Sequence, residues 1–136
     1  MSVRMGFEYV VLRCVPRVDR EEFLNVGVVL HCQRADFLQA RCHVDRERLL
    51  AVAPEVDVDA VCSALAAVEA VCRGDASAGE AGRGSLGTRF GFVKAPRSTV
   101  VQPGPVHTGL TSDPDADADR LLRLLVLPVG SGPMSG

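Results

Sequence analysis

Aromatic residues are scarce in this chain, which has no tryptophan, one tyrosine and five phenylalanines in 136 residues. Since 47% of the residues are nevertheless apolar, the core is predicted to be aliphatic. Proteins that bind single-stranded nucleic acids use aromatic side chains as stacking platforms, and they are usually basic. This chain has 15 basic and 17 acidic residues, a net charge of −2. Nucleic acid is therefore not the partner that this composition favours.

Paired cysteine motifs and long apolar runs are also missing. The five cysteines include no CxxC pair, and they are predicted to be reduced, small core residues. No stretch approaches the eighteen or so apolar residues of a membrane helix, and the N-terminus lacks the apolar run of a signal peptide. We expect a cytoplasmic protein with no membrane contact, and the sequence predicts neither a metal site nor a cofactor.

The length suits one domain, which is predicted to span residues 1–128, followed by a disordered tail at 129–136. Alternating or continuous apolar runs predict strands at 7–15, 23–32 and 37–43, with short strand candidates at 90–93 and 98–102. If Val26, Val28 and Leu30 share one core face with the alternate residues of the third strand, the connecting loop has three or five residues and not four. Gly27 within the second strand predicts a packing notch.

Aspartates mark the predicted helix starts. Asp45 is placed to cap a short helix that ends near Val52, and Asp57 a longer one that Gly74 ends. Asp113 followed by Pro114 predicts a further helix. The glycine-rich residues 74–87 are predicted to be a mobile surface loop. The fold class is therefore α+β: a small, mainly antiparallel sheet of three N-terminal strands and one or two short later strands, packed against two to three helices.

Two groups of polar residues are candidates for function. Arg97 combines the donors of a guanidinium with the hydroxyls of Ser98 and Thr99, which suits a phosphate or carboxylate, and His107 adds a group that titrates near neutral pH. An ordinary surface turn explains the same residues. The second group is predicted on the sheet face opposite the main core, above Gly27 as its floor, and it comprises Asn25, Arg41, His43, Arg13 and Glu22.

The motifs E-x-x-N-V-G-V, A-P-R-S-T-x-V-Q and V-H-T-G together resemble the bacterial family catalogued as domain of unknown function 3037. The resemblance covers most of the chain and implies no assigned activity. It implies a partner, because members are often encoded beside a HipA-like kinase. The positions that it carries over are Glu22, Asn25, Gly27, Arg97, Ser98, Thr99, Gln102 and His107.

Two hypotheses of different classes follow. The first is a non-catalytic interaction or regulatory module that partners a larger enzyme such as a HipA-like kinase, because no complete set of acid, base and nucleophile is recognisable. The second is a small enzyme or ligand-binding domain for a phosphorylated or anionic molecule, with Arg97 as the anion clamp, Ser98 and Thr99 as hydrogen-bond donors and His107 as the acid or base. Convergence of Arg97, His107 and Asn25 in one pocket would favour the second.

Overall fold

The computed structural model describes residues 3–17, 22–97 and 99–128, and these fold around a five-stranded antiparallel sheet. The strands are β1 (Met5–Arg17), β2 (Glu22–Cys32), β3 (Phe37–Cys42), β4 (Val101–Pro103) and β5 (His107–Thr111). β1 is central, because β2 pairs with one of its edges while β5 and β4 pair with the first and second halves of the other. β3 pairs with the far side of β2. The predicted strands at 7–15, 23–32 and 37–43 are thus confirmed.

The α-helices of the described ranges are α1 (Arg46–Val52), α2 (Val58–Arg73), α3 (Leu86–Lys94) and α4 (Pro114–Leu125). Asp45, Asp57 and Asp113 cap α1, α2 and α4 through side chains that accept the N–H three residues later. Gly74 ends α2 in the left-handed conformation, which a residue without a Cβ adopts at little cost. The predicted fold class, α+β, is confirmed. None of the described helices is both long enough and apolar enough to cross a membrane.

Helices cover both faces of the sheet. On one face, α1, α2 and α3 pack over a first core that includes Val10, Leu12, Val29 and Phe90. On the other face, α4 packs over a second core built around Phe7, Val28 and Leu30. β1 and β2 are buried on both sides, which is why their sequences are nearly continuous apolar runs.

A bulge in β2 changes which residues share a face. Leu12 pairs with Gly27 and Arg13 with Asn25, so Val26 has no opposite residue in β1. Val26 and Val29 consequently pack in the first core, whereas Val28 packs in the second. The predicted common face of Val26, Val28 and Leu30 is therefore wrong.

The loop length predicted for the β2–β3 hairpin is also wrong. Cys32 pairs with Phe37, which leaves four connecting residues, and Asp36 closes the turn in the left-handed conformation at φ 53°. The prediction assumed that only one face of β2 is buried. Since both faces are buried, the apolar pattern does not exclude the four-residue loop.

Residues 74–94 are more regular than predicted. A 3₁₀ segment, Ala76–Gly82, and α3 occupy the stretch in which the sequence predicted a surface loop and a short strand at 90–93. Ser85 caps α3, and Arg89 donates to the carbonyls of Cys72 and Gly84, which ties α3 to the end of α2. These contacts join residues of different elements, so the local composition does not reveal them. The predicted tail at 129–136 lies outside the described residues.

Candidate functional site

Arg97, the predicted anion clamp, uses its guanidinium within its own segment. Its Nη2 donates to the carbonyl of Phe92, its Nε donates weakly to the carbonyl of Ala95 at 3.4 Å, and its Cζ lies 4.8 Å from the centroid of the Phe92 ring. The side chain thus closes the C-terminal end of α3. It also lines, with Thr99, an apolar groove of about 550 Å³ beside α2.

The neighbouring motif residues have structural contacts as well. The hydroxyl of Thr99 donates to the carbonyl of Val101 at 2.7 Å, and Gln102 Nε2 donates to the carbonyl of Thr99 at 2.9 Å. These bonds shape the turn that leads into β4. Ser98 lies outside the described residues.

His107 lies at the start of β5, opposite Tyr9 of β1. The two rings stack with their centroids 5.1 Å apart, and the His107 side chain is exposed. Stacking accounts for an aromatic residue here. The contacts of His107 do not involve Arg97.

The residues of the E-x-x-N-V-G-V motif separate onto different surfaces. Asn25 Nδ2 donates to the carbonyl of Leu125, the last residue of α4, at 2.9 Å. A Cβ at Gly27 would instead lie 3.0 Å from Cys42 Sγ, on the side of the first core, so the neighbouring strand leaves little room for a side chain at this position. The predicted shared face of Asn25 and Gly27 is wrong because of the bulge at Val26. Glu22 is exposed, and it lines a cavity beside the α1–α2 connection.

Arg97, Asn25 and His107 are therefore not brought into one pocket. Arg97 lines the groove beside α2, Asn25 lines a cavity of about 200 Å³ at the end of α4, and neither cavity includes His107. Arg41, which the sequence grouped with Asn25, binds α4 through Asp119 at 3.0 Å and through Asp115.

Three of the cysteines are poorly suited to act as nucleophiles. Burial raises the pKa of Cys14, and burial together with the charge of Glu69 raises the pKa of Cys42 to about 12. Burial raises the pKa of Cys72 to about 12 as well, against the opposing charge of Arg89. Protonated thiols are poor nucleophiles. Cys62 was predicted to be a core residue, but it is exposed on α2.

The outer edge of β3 is open along a groove. β3 pairs only with β2 among the described strands. The amide of His43 donates to the carbonyl of Val26, and because bonded pairs alternate in an antiparallel ladder, the peptide groups of Leu38, Ala40 and Cys42 point away from β2. Beneath them lies a groove of about 450 Å³, which we call the edge groove. Its lining comes from residues 36–40 of the turn and β3, Glu69, Cys72 and Arg73 of α2, and Leu86 and Arg89 of α3.

Among the charged side chains that line the edge groove, the two arginines bind other residues, whereas the glutamate binds no described residue. Arg73 binds Asp75 at 2.9 Å, and Arg89 donates to main-chain carbonyls. Glu69 makes no hydrogen bond or ion pair with any residue that the structure describes. The edge groove therefore offers a carboxylate beside outward-pointing peptide groups. An extended segment with a basic side chain complements both features.

The model of the family described as "Protein of unknown function (DUF3037)" matches residues 9–126. The chain belongs to this family. No curated protein and no solved structure gives a significant match. The match to the DUF3037 family begins in β1 and ends just after α4, so it takes in the sheet and the helices on both of its faces.

The edge groove was not among the sites predicted from sequence. Its peptide groups belong to Leu38, Ala40 and Cys42, whose side chains show only an alternating apolar pattern. Which edge of β3 is free depends on its pairing with β2 and on the topology of the later strands. In this DUF3037 chain, β3 can be recognised as a strand without a second neighbour only after the pairing of all the described strands is known.

Proposed function

We propose that this protein is a non-catalytic interaction module of the bacterial cytoplasm that binds a larger enzyme, and that a HipA-like kinase is its partner. The open edge of β3 along the edge groove carries the proposal. A strand edge with free N–H and C=O groups is a template for an added strand from another chain. The proposal that the partner is a HipA-like kinase rests on the resemblance of the E-x-x-N-V-G-V and A-P-R-S-T motifs to the DUF3037 family.

The mode of binding that we propose is addition of an extended segment of the partner to β3. The main-chain groups of Leu38, Ala40 and Cys42 would supply the hydrogen bonds. Side chains on alternate positions of the added strand would enter the edge groove, where a lysine or arginine would meet Glu69. Main-chain pairing provides affinity, and the ion pair selects a basic segment.

The alternative, an enzyme or ligand-binding site built on Arg97, Ser98, Thr99 and His107, has less support. Arg97 and Thr99 have their polar groups engaged by main-chain carbonyls, and His107 stacks on Tyr9. An acid or base must lie within hydrogen-bonding reach of the same reacting atom as the other groups. No observation in the described residues brings these three together.

The test is co-expression of the chain with the HipA-like kinase encoded beside it, followed by affinity capture and size-exclusion chromatography at micromolar concentration. Ala40→Pro is the informative variant. It removes a donor only from the open edge, because the Ala40 N–H points away from β2, and proline is tolerated at such edge positions. Ala40→Ser keeps this N–H and serves as the matched control.

We expect co-elution for the wild type and for Ala40→Ser, and at least about tenfold weaker binding for Ala40→Pro with unchanged circular dichroism. Independent elution of the two wild-type proteins contradicts the proposed partner. If the wild type and both variants bind the kinase equally, the kinase is still the partner, but the interface does not include the edge of β3. A dimer of this chain that Ala40→Pro dissociates would assign the edge to a second copy.

A further inference from the structure

Arg13 is a charged residue within the central strand of the sheet. It lies near the C-terminal end of β1, opposite Asn25 of β2 on one side and Gln102 of β4 on the other. Residues opposite one another in neighbouring strands share a face. Asn25, Arg13 and Gln102 therefore lie side by side across three strands, next to the end of α4. We call these three residues the polar row.

The guanidinium of Arg13 is clamped from two directions. Its Cζ lies 4.3 Å from the centroid of the Phe23 ring, a favourable stacking of a cation on an aromatic face. On another side it packs against Gly104, where a Cβ would lie 3.0 Å from Cζ and 3.1 Å from Nε and Nη2. A glycine at this position leaves the guanidinium room that any other residue would restrict.

The donors of Arg13 are unused. Its Nε is buried, and no described residue accepts its hydrogen. The ion pairs of the described residues leave Arg13 without a carboxylate partner, and the same holds for Arg48, which lines the cavity at the end of α4 together with Phe23 and Asn25. Buried polar atoms in native proteins almost always have a partner. Arg13 stacks on Phe23 and Arg48 lines a cavity with the same residue, so two arginines without carboxylate partners among the described residues form a positively charged spot.

The contrast with Arg97 is direct. Both arginines stack on a phenylalanine, but Arg97 donates to two carbonyls of its own segment. Arg13 combines the same stacked geometry with a guanidinium whose hydrogens no described residue accepts. A planar guanidinium held in place is suited to bind two oxygens of one phosphate or carboxylate, since little side-chain freedom is lost on binding.

We propose that the polar row is a binding site for an oxyanion, a phosphate or carboxylate group, which Arg13 binds with its guanidinium. Asn25 and Gln102 each give one amide hydrogen to a main-chain carbonyl and flank the anion with the second N–H of the same amide. Arg48, which lines the cavity at the end of α4 together with Phe23, adds to the local positive potential. The site is separate from the edge groove of the proposed function, which lies along the other edge of the sheet.

The experiment is an NMR titration at pH 6.5 that follows the Nε–Hε resonance of Arg13. Inorganic phosphate and acetate are added in separate arms, with chloride keeping the ionic strength constant. We expect a saturable shift of the Arg13 resonance and of the side-chain amides of Asn25 and Gln102. Saturation by phosphate alone assigns the site to phosphoryl groups, and saturation by acetate as well extends it to carboxylates. Either result supports the proposal.

Two variants and one control test the assignment. Arg13→Gln removes the charge, and Gly104→Ala keeps every charge but forces the clamped guanidinium to move. Both should weaken phosphate binding at least about tenfold, as expected when a charged bidentate contact is lost. Arg97→Gln, the matched control, should bind like the wild type. Gly104→Ala also keeps the test decisive if Arg13→Gln does not fold. The proposal is overturned if neither anion saturates the wild type, or if Gly104→Ala binds as tightly as the wild type.

Discussion

Gly27 is the position at which one added methyl group should be most informative. In Gly27→Ala the new Cβ would lie 3.0 Å from Cys42 Sγ, 3.2 Å from the carbonyl oxygen of Arg41 and 3.3 Å from Leu12 Cδ1. All three contacts are shorter than van der Waals optima, and the carbonyl belongs to the backbone of β3. Overpacking of this kind costs about 1–3 kcal/mol. For a chain of this size we expect Tm to fall by roughly 3–10 °C.

The assay is urea denaturation of Gly27→Ala, with Gly6→Ala as the matched control. Gly6 also lies in a strand, but no atom would lie within 4 Å of its Cβ, so its variant should stay within about 0.5 kcal/mol of the wild type. In a double-mutant cycle, Cys42→Ala removes the nearest obstacle and should recover about 0.5–2 kcal/mol. The reasoning fails if Gly27→Ala is no less stable than Gly6→Ala. An unchanged cost in the Cys42→Ala background would show that the sulfur is not the obstacle.

Three further predictions concern other parts of the chain. Asn25→Ala leaves the last carbonyl of α4 without its donor and should lower the free energy of unfolding by about 1–2 kcal/mol in chemical denaturation; an unchanged value would show that this bond does not stabilise the fold. Burial raises the pKa of Asp117, but hydrogen bonds from Thr111 and Arg120 and the charge of Arg120 outweigh it and lower this pKa below 3.8. Asp117 therefore stabilises the fold above about pH 4, and this stabilisation is lost as the pH falls through its folded-state pKa. Thr111→Val should be less stable than the wild type at pH 7, by a margin that narrows at pH 3; a margin independent of pH would argue against the coupling. At pH 8 iodoacetamide should label the exposed Cys62 first and leave Cys42 unmodified, as mass spectrometry would show, and rapid labelling of Cys42 would contradict its raised pKa.

The elements that depend on local signals were predictable from the sequence. Asp45, Asp57 and Asp113 cap helices where the pattern placed them, and the three N-terminal strands lie where the apolar runs predict them. A cap or an alternating run acts over a few neighbouring residues, so it can be read without knowing the rest of the fold.

The face assignments failed because they depend on distant residues. A glycine within a strand can mark a bulge, but Gly27 does not show that Val26 is the extra residue. A strand buried on both sides also does not reveal which residues α4 covers. The order in α3 depends on Arg89, which reaches back to the end of α2. The apolar residues of α4 do not show which of its sides is covered: Ala118 and Leu121 are buried, whereas Leu124 is 68% exposed.

For the candidate sites, too, the sequence showed which residues are neighbours along the chain but not which distant residues contact them. The sequence singled out Arg97 for its neighbours Ser98 and Thr99, but the use of its donors depends on the carbonyls at the end of α3. Arg13 was included only as a member of the second polar group. The sequence shows only that Arg13 is a charged residue within an apolar strand. The contacts that hold its guanidinium come from Phe23 and Gly104, which lie on two other segments of the chain.

The hydrogen bond between Asn25 and Leu125 joins residues that are 100 positions apart. During synthesis, β1, β2 and β3 leave the ribosome before α4, the helix that covers Phe7, Val28 and Leu30. Until α4 has emerged, one face of the nascent sheet remains uncovered, and Asn25 has no helix end to bind. We expect the completed half of the chain to need protection from aggregation during this interval, so ribosome-bound intermediates that end before residue 114 should associate with chaperones more strongly than the full chain.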